Sequence, residues 1–421
     1  MKSLKIALAA ALFATTPLAA QTPVTVIHAG KLLDRPGSAP RGPSTIVVRD
    51  GKVAEVLNGH QPAPDGATLI DLKDEFVLPG LIDSHVHLDS DAGGNAALVE
   101  RVTDSPARAA FRAAANAKKT LMAGFTTVRN LGDGTGATLA LRDAVAAGDL
   151  PGPRILDAGL SISTTSGHMD GTLSLSEDLH SAVTQENLCD GPESCRQAVR
   201  RQIRRGADVI KIATTGGVNS RIGAGLGRQA FDDEIKALVD TAHLYGKKMA
   251  VHAHGKDGVD AALAAGADSI EHGTMIDDAT IALFKRSGAY YVPTLSTVNG
   301  YIERLAANPN AYPPDVLAKV KWRIEVTGKS LAKAYPAGVK IAFGTDAGVS
   351  KHGKNADEFE LMVKHGMPAG AAIQAATINA ATLLGVDKEV GSLEPGKAAD
   401  MIAVAGDPTA DVTVLKNVAF V

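Results

Sequence analysis

Short apolar strands alternate with amphipathic helices along the middle of this chain, and this alternation constrains the fold more than any other feature. Strand patterns occur near residues 81–86, 125–130, 154–161, 208–213, 249–254, 268–272, 289–295 and 339–345. Glycines such as Gly206 and Gly266 stand where a helix ends, a position that favours the left-handed conformation. Eight strand–helix units in about 300 residues predict an α/β fold, a (β/α)8 TIM barrel. A doubly wound open sheet is the alternative, but no GxGxxG motif follows the first strand.

The segments on either side of the barrel have the pattern of short strands and turns. Ser44–Val48 is an example before the barrel, and Ala399–Val404 and Val412–Leu415 are examples after it. We expect the two termini to pair into one small β-sandwich domain. The predicted regions are a leader (1–20), the first part of the β-sandwich (21–80), the barrel (81–384) and the second part of the β-sandwich (385–421).

The first twenty residues have the pattern of a cleaved secretory signal peptide. Lys2 and Lys5 precede an apolar stretch that ends near Leu18, and small residues follow up to Ala20. A membrane anchor is the alternative, but the stretch is shorter than the ~20 apolar residues that a spanning helix needs. The mature protein is therefore expected to be periplasmic or secreted, with no membrane partner. An even cysteine count in an exported chain favours a disulfide between Cys189 and Cys195 over two free thiols.

The overall composition argues against nucleic acid and anionic membranes as partners. The chain has 421 residues, a formal net charge of −3 and only 4% aromatic residues. A balanced charge gives no electrostatic attraction to polyanions, and so few aromatic rings offer little surface for base stacking.

Histidines and other polar residues are concentrated where the predicted strands end. His85 and His87 stand two residues apart at the first strand end, so both imidazoles point to the same side. Other strand ends carry Lys211, His252, His254, His272 and Asp346. Because strand ends meet at one face of a barrel, we expect these side chains to form a metal site. Each has a plainer interpretation by itself: Asp346 could cap a helix, and Glu271 could be a hydrogen-bond partner beside His272.

Lys211 narrows the type of metal site because an ammonium group has no lone pair with which to bind a metal. It lies between Ile210 and Ile212, where burial would lower its pKa and favour the neutral amine. A neutral amine can react with carbon dioxide to give a carbamate, whose two oxygens can bridge two metal ions. The alternative is a lysine that extends to solvent or pairs with a carboxylate.

With these residues in place, the chain resembles the amidohydrolase superfamily in its two-metal form. The resemblance is carried by LPGLIDSHVH (78–87), GTDAG (344–348) and GSLEPGKAAD (391–400). HAHG (252–255) and TTGGV (214–218) are similar to the exported prolidase-like and Xaa-dipeptide carboxypeptidase group and to ochratoxinase. The single-metal deaminase branch, which has no bridging lysine, is less similar.

The resemblance implies a homo-oligomer, with an octamer as one form, and a binuclear metal site in each subunit. Imidazole, carboxylate and carbamate ligands suit Zn²⁺, with other divalent metals as alternatives. The ligands would be His85, His87 and Asp346 for one ion, His252 and His272 for the other, and carboxylated Lys211 as the bridge formed with carbon dioxide.

Several residues are candidates for catalysis or substrate binding. Asp346 is expected to move a proton from the attacking water to the departing amine, and His254 to contact the substrate or its oxyanion. His168 could face the site or be an ordinary loop histidine, and Arg221 could clamp a carboxylate or remain solvated. Weaker candidates are Ser90 and Tyr291.

The expected activity is metal-dependent hydrolysis of the amide bond to a C-terminal amino acid. The expected substrates are small molecules that contain such a bond, including dipeptides, N-acyl amino acids and ochratoxin-like amides. The same metal pair could instead serve cyclic amides, lactones or phosphotriesters, because the attacking hydroxide would be common to all of them. An exported metal-binding barrel without activity is a third hypothesis.

Overall fold

The computed structural model describes residues 24–223 and 225–421. The predicted leader, residues 1–20, lies outside the described residues. Among the helices that are described, none combines the length and the apolar character needed to cross a membrane.

The described residues begin with the larger part of a β-sheet. Its four strands are β1 (Val24–Leu32), β2 (Ser44–Arg49), β3 (Lys52–Asn58) and β4 (Thr68–Pro79). Strands β1, β2 and β3 pair antiparallel in sequence order, and β4 runs parallel to β1 on its other side. Asp50 and Gly51, both with positive φ, make the tight turn between β2 and β3.

Eight parallel strands then form the barrel. They are β5 (Leu81–Val86), β6 (Phe125–Asn130), β7 (Arg154–Asp157), β8 (Val209–Ala213), β9 (Lys248–Ala253), β10 (Ser269–His272), β11 (Tyr290–Val292) and β12 (Lys340–Ile341). Strands β5 to β7 pair as one group and β8 to β12 as another. Parallel bridges from Ile162 to Ile212 and from Val86 to Ala347 join the two groups at both edges. The predicted barrel fold is confirmed.

Helices connect the strands and surround the barrel. They are α1 (Asn95–Thr103), α2 (Pro106–Met122), α3 (Ala137–Ala147), α4 (Pro192–Arg205), α5 (Asp232–Leu244), α6 (Lys256–Ala265), α7 (Asp278–Ser287), α8 (Thr297–Ala307), α9 (Pro314–Val326), α10 (Lys329–Ala334), α11 (Asp357–Lys364), α12 (Ala369–Gln374) and α13 (Ala380–Leu384). A π-helical segment, Ala375–Asn379, joins α12 to α13, and a 3₁₀ helix, Glu177–Ala182, lies in the long loop after β7. Three helices, α8 to α10, occupy the connection between β11 and β12, where a barrel needs only one.

The C-terminal segment returns to the first sheet. Strands β13 (Met401–Val404) and β14 (Val418–Phe420) complete a six-stranded sheet in the order β14-β13-β4-β1-β2-β3. Both termini therefore contribute to one β-domain, as predicted, while the proposed domain limits stay a prediction. The predicted strand at Val412–Leu415 is wrong: Val412–Lys416 is a 3₁₀ helix. The Asp411 side chain accepts a hydrogen bond from the Thr413 amide, and this local bond replaces pairing with a neighbouring strand.

The two cysteines are joined in the structure. Cys189 and Cys195 are both buried and form a disulfide across six positions of sequence. The bond links the end of the long loop after β7 to the first turn of α4.

The barrel core contains a row of three buried phenylalanines. Phe343 lies with its ring centroid 5.4 Å from that of Phe125 and 4.4 Å from that of Phe359, and all three side chains are fully buried. The row joins the start of β6 to the segment after β12 and to α11. It therefore stabilises the barrel across the edge where its first and last strands meet.

We expect Phe343→Ala to lower the free energy of unfolding by about 3–5 kcal/mol, because it leaves a cavity between two rings that cannot both move to fill it. Phe111→Ala is the matched control, since the Phe111 side chain on α2 is 79% exposed. Denaturant unfolding followed by circular dichroism measures both variants. An equal loss for the two would contradict the importance of this row.

Candidate metal centre and active site

The polar residues predicted at the strand ends converge at one end of the barrel. His85 lies in β5, Lys211 in β8 and His272 at the end of β10, and all three are buried. Together with His252 and Asp346 they line a cavity of about 160 Å³. The convergence follows from the parallel direction of the strands, which places every carboxyl end at the same face.

His85, His87 and Asp346 form the first of two ligand clusters. Their candidate ligand atoms lie within 4.8 Å of one another. Asp346 Oδ1 is 3.5 Å from His85 Nε2 and 3.4 Å from His87 Nε2. Burial opposes ionisation of Asp346, but the two imidazoles outweigh it and hold the pKa of this carboxyl at about 2. The cluster therefore offers an ionised carboxylate and two imidazoles to one cation.

His252, His254 and His272 form the second cluster, again with ligand atoms within 4.8 Å of one another. Burial, reinforced by neighbouring positive groups, holds the pKa of all three imidazoles well below the usual range. Neutral imidazoles keep a lone pair for a metal. His254 is thus within reach as a third imidazole of this cluster, whereas the sequence interpretation assigned it to the substrate.

Lys211 lies beside both clusters. Its side chain is fully buried, and its Nζ is 3.3 Å from His85 Nε2. Burial lowers the pKa of Lys211 to about 8, so a substantial fraction of the amine is neutral near physiological pH. Burial is the main cause of the lowered pKa of His85 and of His272, one imidazole from each cluster, and the charge of Lys211 adds to it.

A buried hydrogen-bond network fixes the orientation of His85. Glu271 Oε2 accepts from His85 Nδ1 at 2.9 Å, and Glu271 Oε1 accepts from Arg129 Nη2 at 2.8 Å and from Ser269 Oγ at 2.6 Å. Arg129 also donates to the Ser84 carbonyl. With Nδ1 committed to Glu271, the Nε2 lone pair of His85 faces the cavity. Glu271 therefore pairs with His85 and not with its sequence neighbour His272, and Arg129 is a residue that the sequence analysis missed.

Asp83 ties the first strand to the turn that carries Asp346. Its Oδ1 accepts from the amides of His85 and Thr345, and its Oδ2 accepts from Thr345 Oγ1 at 2.6 Å and from Asn355 Nδ2 at 2.8 Å. Asp346 itself has φ 57°, a left-handed conformation that is costly for a residue with a side chain. The Asp83 hydrogen bonds hold the neighbouring residue in place and so support that conformation.

Two of the predicted substrate contacts, His168 and Arg221, differ in whether they line the metal cavity. His168 lines the cavity, with its ring 4.1 Å from that of His252 and its Nδ1 2.9 Å from Ser220 Oγ. Arg221 lies in an outer chamber, where its side chain is 52% exposed and forms an ion pair with Asp315 at 3.3 Å.

The two weaker candidates do not line the metal cavity. The Ser90 hydroxyl is hydrogen-bonded to the backbone of Ala92. The Tyr291 hydroxyl donates to the His272 carbonyl at 3.0 Å, within the core. Tyr291 therefore supports the backbone of His272.

Tyr301 on α8 and Arg323 on α9 are among the cavity residues that the sequence analysis missed. Arg323 is 3% exposed and follows Val316 and Val320 on the buried face of its helix. Arg323 stands seven residues after Val316, on a helical face that is otherwise apolar. A cation at such a position is the signal that could have identified it.

Comparisons with known proteins agree with this architecture. Residues 76–421 match the model of the Amidohydrolase family. Ochratoxinase from Aspergillus niger is 32% identical over 412 residues, which cover 94% of this chain and 84% of that protein. The structure of a Xaa-Pro dipeptidase with bound methionine in the active site is 41% identical, with a TM-score of 0.88 and coverage of 94% of this chain and 97% of that one.

A prolidase in complex with N-methylphosphonate-L-proline is also similar. It is 31% identical, with a TM-score of 0.84, and the match covers 94% of this chain and 95% of that one. These relatives, together with the ligand clusters, support a hydrolase that acts on amide or peptide bonds. The chain belongs to the Amidohydrolase family.

Proposed function

We propose that this protein is a binuclear zinc amidohydrolase that releases a C-terminal amino acid. Its substrates would be dipeptides, N-acyl amino acids or ochratoxin-like amides. The observation that carries the proposal is the pair of buried ligand clusters with Lys211 beside both. The names of the relatives support the substrate class, because the prolidase and Xaa-Pro dipeptidase structures hold a proline derivative and methionine.

The residues present fit a pair of divalent cations. His85, His87 and Asp346 would hold one ion, and His252 and His272 the other, with His254 available beside them. His272 Nδ1 is 2.7 Å from Thr294 Oγ1 and His254 Nδ1 is 2.8 Å from Thr274 Oγ1, so the opposite ring nitrogens are directed to the cavity. Bound divalent ions would polarise the substrate carbonyl and lower the pKa of the attacking water.

Lys211 would complete the site as a carbamate. Its neutral Nζ lone pair attacks the carbon of carbon dioxide, so that the N–C bond forms while one C=O π bond breaks and leaves its electron pair on oxygen. The nitrogen releases one proton to water. The product is an anion with two oxygens, which is the charge that a buried pair of cations needs. The lowered pKa of Lys211 favours this reaction because only the unprotonated amine is nucleophilic.

The remaining chemistry belongs to side chains that face the same cavity. Asp346 is ionised and accepts the proton of the attacking water at its carboxylate, then returns it to the departing amine. His254 and His168 both neighbour the His252 ring, at centroid distances of 4.9 Å and 4.1 Å, and both line the cavity. In this proposal they hydrogen-bond the carbonyl oxygen of the substrate.

Zinc-loaded protein should release a free amino acid from at least one member of a panel of dipeptides and N-acyl amino acids, with the products identified by mass spectrometry. A chelator should abolish the release, and added Zn²⁺ should restore it. The reason is that the bound ions would polarise the substrate carbonyl and lower the pKa of the attacking water. Amino acid release that persists after the metal is removed would refute the proposed mechanism.

Lys211→Ala should lower kcat/KM by at least about 100-fold and reduce the bound zinc measured by elemental analysis, because the bridging anion is lost. Lys211→Arg should fail in the same way, since a guanidinium retains its charge and does not form the carbamate. Lys236→Ala is the control, because Lys236 lies on the exposed surface of α5 in an ion pair with Asp240. Full zinc content in both Lys211 variants would exclude the bridging role.

We further propose that the protein is exported. The leader pattern at residues 1–20 and a disulfide that closes a short loop both suit an oxidising compartment. Expression of the full chain in a Gram-negative host should give a periplasmic product whose intact mass corresponds to a start at Gln21. A product that keeps residues 1–20 would contradict cleavage.

A further inference from the structure

The turn after β11 carries the hydroxyl that orients His272, and the backbone of this turn is strained. Thr294 Oγ1 lies 2.7 Å from His272 Nδ1, and Thr294 has φ 47°. A β-branched residue rarely adopts this left-handed conformation, so surrounding contacts must hold it. The orientation of one imidazole of the second cluster therefore depends on what fixes residues 293–296, which we call the Thr294 turn.

Glu358, a buried residue in the first turn of α11, holds the amides of the Thr294 turn. Its Oε1 accepts from the Leu295 amide at 2.9 Å, and its Oε2 accepts from the Ser296 amide at 2.6 Å. Successive amides that converge on one anion form a concave binding site, which also fixes the backbone conformation around the anion. The carboxylate thus binds the two amides that directly follow Thr294.

Glu358 is a costly residue to bury. It forms no ion pair with any basic residue in the part of the chain that the structure describes. Burial raises the pKa of its carboxyl to about 7, although the two amide hydrogen bonds oppose the rise. On the carbonyl side of the same turn, Arg323 donates to Pro293 and Thr294 at 3.3 Å and 3.1 Å. A buried anion therefore holds the amides of the turn, and a buried cation holds its carbonyls.

Asn355, three residues before Glu358, makes a corresponding contact towards the turn that carries Asp346. Its Nδ2 donates to Asp83 Oδ2 at 2.8 Å, and Asp83 also accepts from the Thr345 amide and hydroxyl. The segment that leads into α11 is thus connected to both strained turns. Glu358 contacts the turn of the second cluster directly, and Asn355 supports that of the first cluster through Asp83.

We propose that Glu358 is a positioning residue for the second metal ion and acts on His272 through the Thr294 turn. This inference rests on the proposed function, because it assigns the residue a role toward the metal pair. Without the carboxylate, the two amides lose their acceptor and Thr294 is free to leave its strained conformation. The ligand nitrogen of His272 then loses its fixed direction, whereas the first cluster keeps its own support through Asp83.

The test measures binding of each zinc ion separately. Calorimetry gives the affinities in solution, and anomalous scattering from crystals equilibrated with limiting zinc gives the occupancy of each cluster. Glu358→Gln should weaken binding at the second cluster about 10- to 100-fold and leave the first unchanged, because an amide accepts one hydrogen bond and presents a donor to the other backbone amide. Glu358→Asp should recover part of the loss, since it keeps the charge and both acceptor oxygens.

Two variants of the same region serve as controls. Glu360→Gln should leave both zinc affinities unchanged, because Glu360 on the same helix is 41% exposed and pairs with Lys416 at 2.8 Å. Asn355→Ala should weaken the first cluster and spare the second. A loss at the second cluster from Asn355→Ala as large as that from Glu358→Gln would overturn the proposal, because any damage to this segment would then disturb the site.

A double-mutant cycle tests the route through Thr294. Thr294→Val removes the hydroxyl beside His272 and should itself weaken the second cluster, so that adding Glu358→Gln causes little further loss. Additive losses would reject the route, and equal losses at both clusters in Glu358→Gln would reject the positioning role. Thermal unfolding of the metal-free proteins checks that each variant is folded, and Glu358→Asp replaces Glu358→Gln in the cycle if the latter does not fold.

Zinc binding and amide hydrolysis are measured independently, so the two proposals can fail separately. If the unaltered protein binds two zinc ions but hydrolyses no substrate, the proposed function fails and the zinc affinities still decide the role of Glu358. If it hydrolyses an amide and Glu358→Gln binds both ions as tightly as the unaltered protein, only the positioning role fails. An unaltered protein that binds no zinc would overturn both.

Discussion

The site depends on hydrogen bonds that commit one ring nitrogen of each buried imidazole and leave the other facing the cavity. His85 donates to Glu271, His272 is paired with Thr294, and His254 with Thr274. These bonds fix the orientation of the rings, so that the opposite nitrogens converge on the cavity. Burial keeps the rings neutral, because each pKa lies below the usual range of histidine. Orientation and protonation state are therefore both set by the barrel interior.

Burying these polar groups is energetically unfavourable, and backbone strain adds to this at the strand ends. His272, Thr294 and Asp346 all adopt positive φ, which side chains disfavour, and all three lie where a barrel strand gives way to its loop. The strain is held by surrounding contacts, of which the four hydrogen bonds accepted by Asp83 are the clearest example. The apolar packing around Phe343 stabilises the same edge of the barrel and offsets the polar burial.

The cavity is organised by charge as well as by geometry. Asp346 and Glu271 supply buried negative charge, and both are matched by cationic or imidazole neighbours. Arg323, by contrast, forms no ion pair among the described residues, and its guanidinium donates to the Pro293 and Thr294 carbonyls.

The sequence by itself determined the eight strand–helix units, the pairing of the termini into one sheet and the set of polar residues at the strand ends. These follow from periods of two and 3.6 residues and from the parallel direction of barrel strands, which are local or topological rules. Only the tertiary structure decided that Glu271 bonds to His85 and not to His272, that Arg129 lies beneath them, and that Arg323 faces the cavity while Arg221 lies at its rim. The physical reason is that these contacts join side chains more than a hundred residues apart or depend on how a loop helix is docked. The segment Val412–Lys416 is a 3₁₀ helix although its β-branched residues favour a strand. Here the cause is local, because the Asp411 side chain accepts a hydrogen bond from the Thr413 amide two residues away.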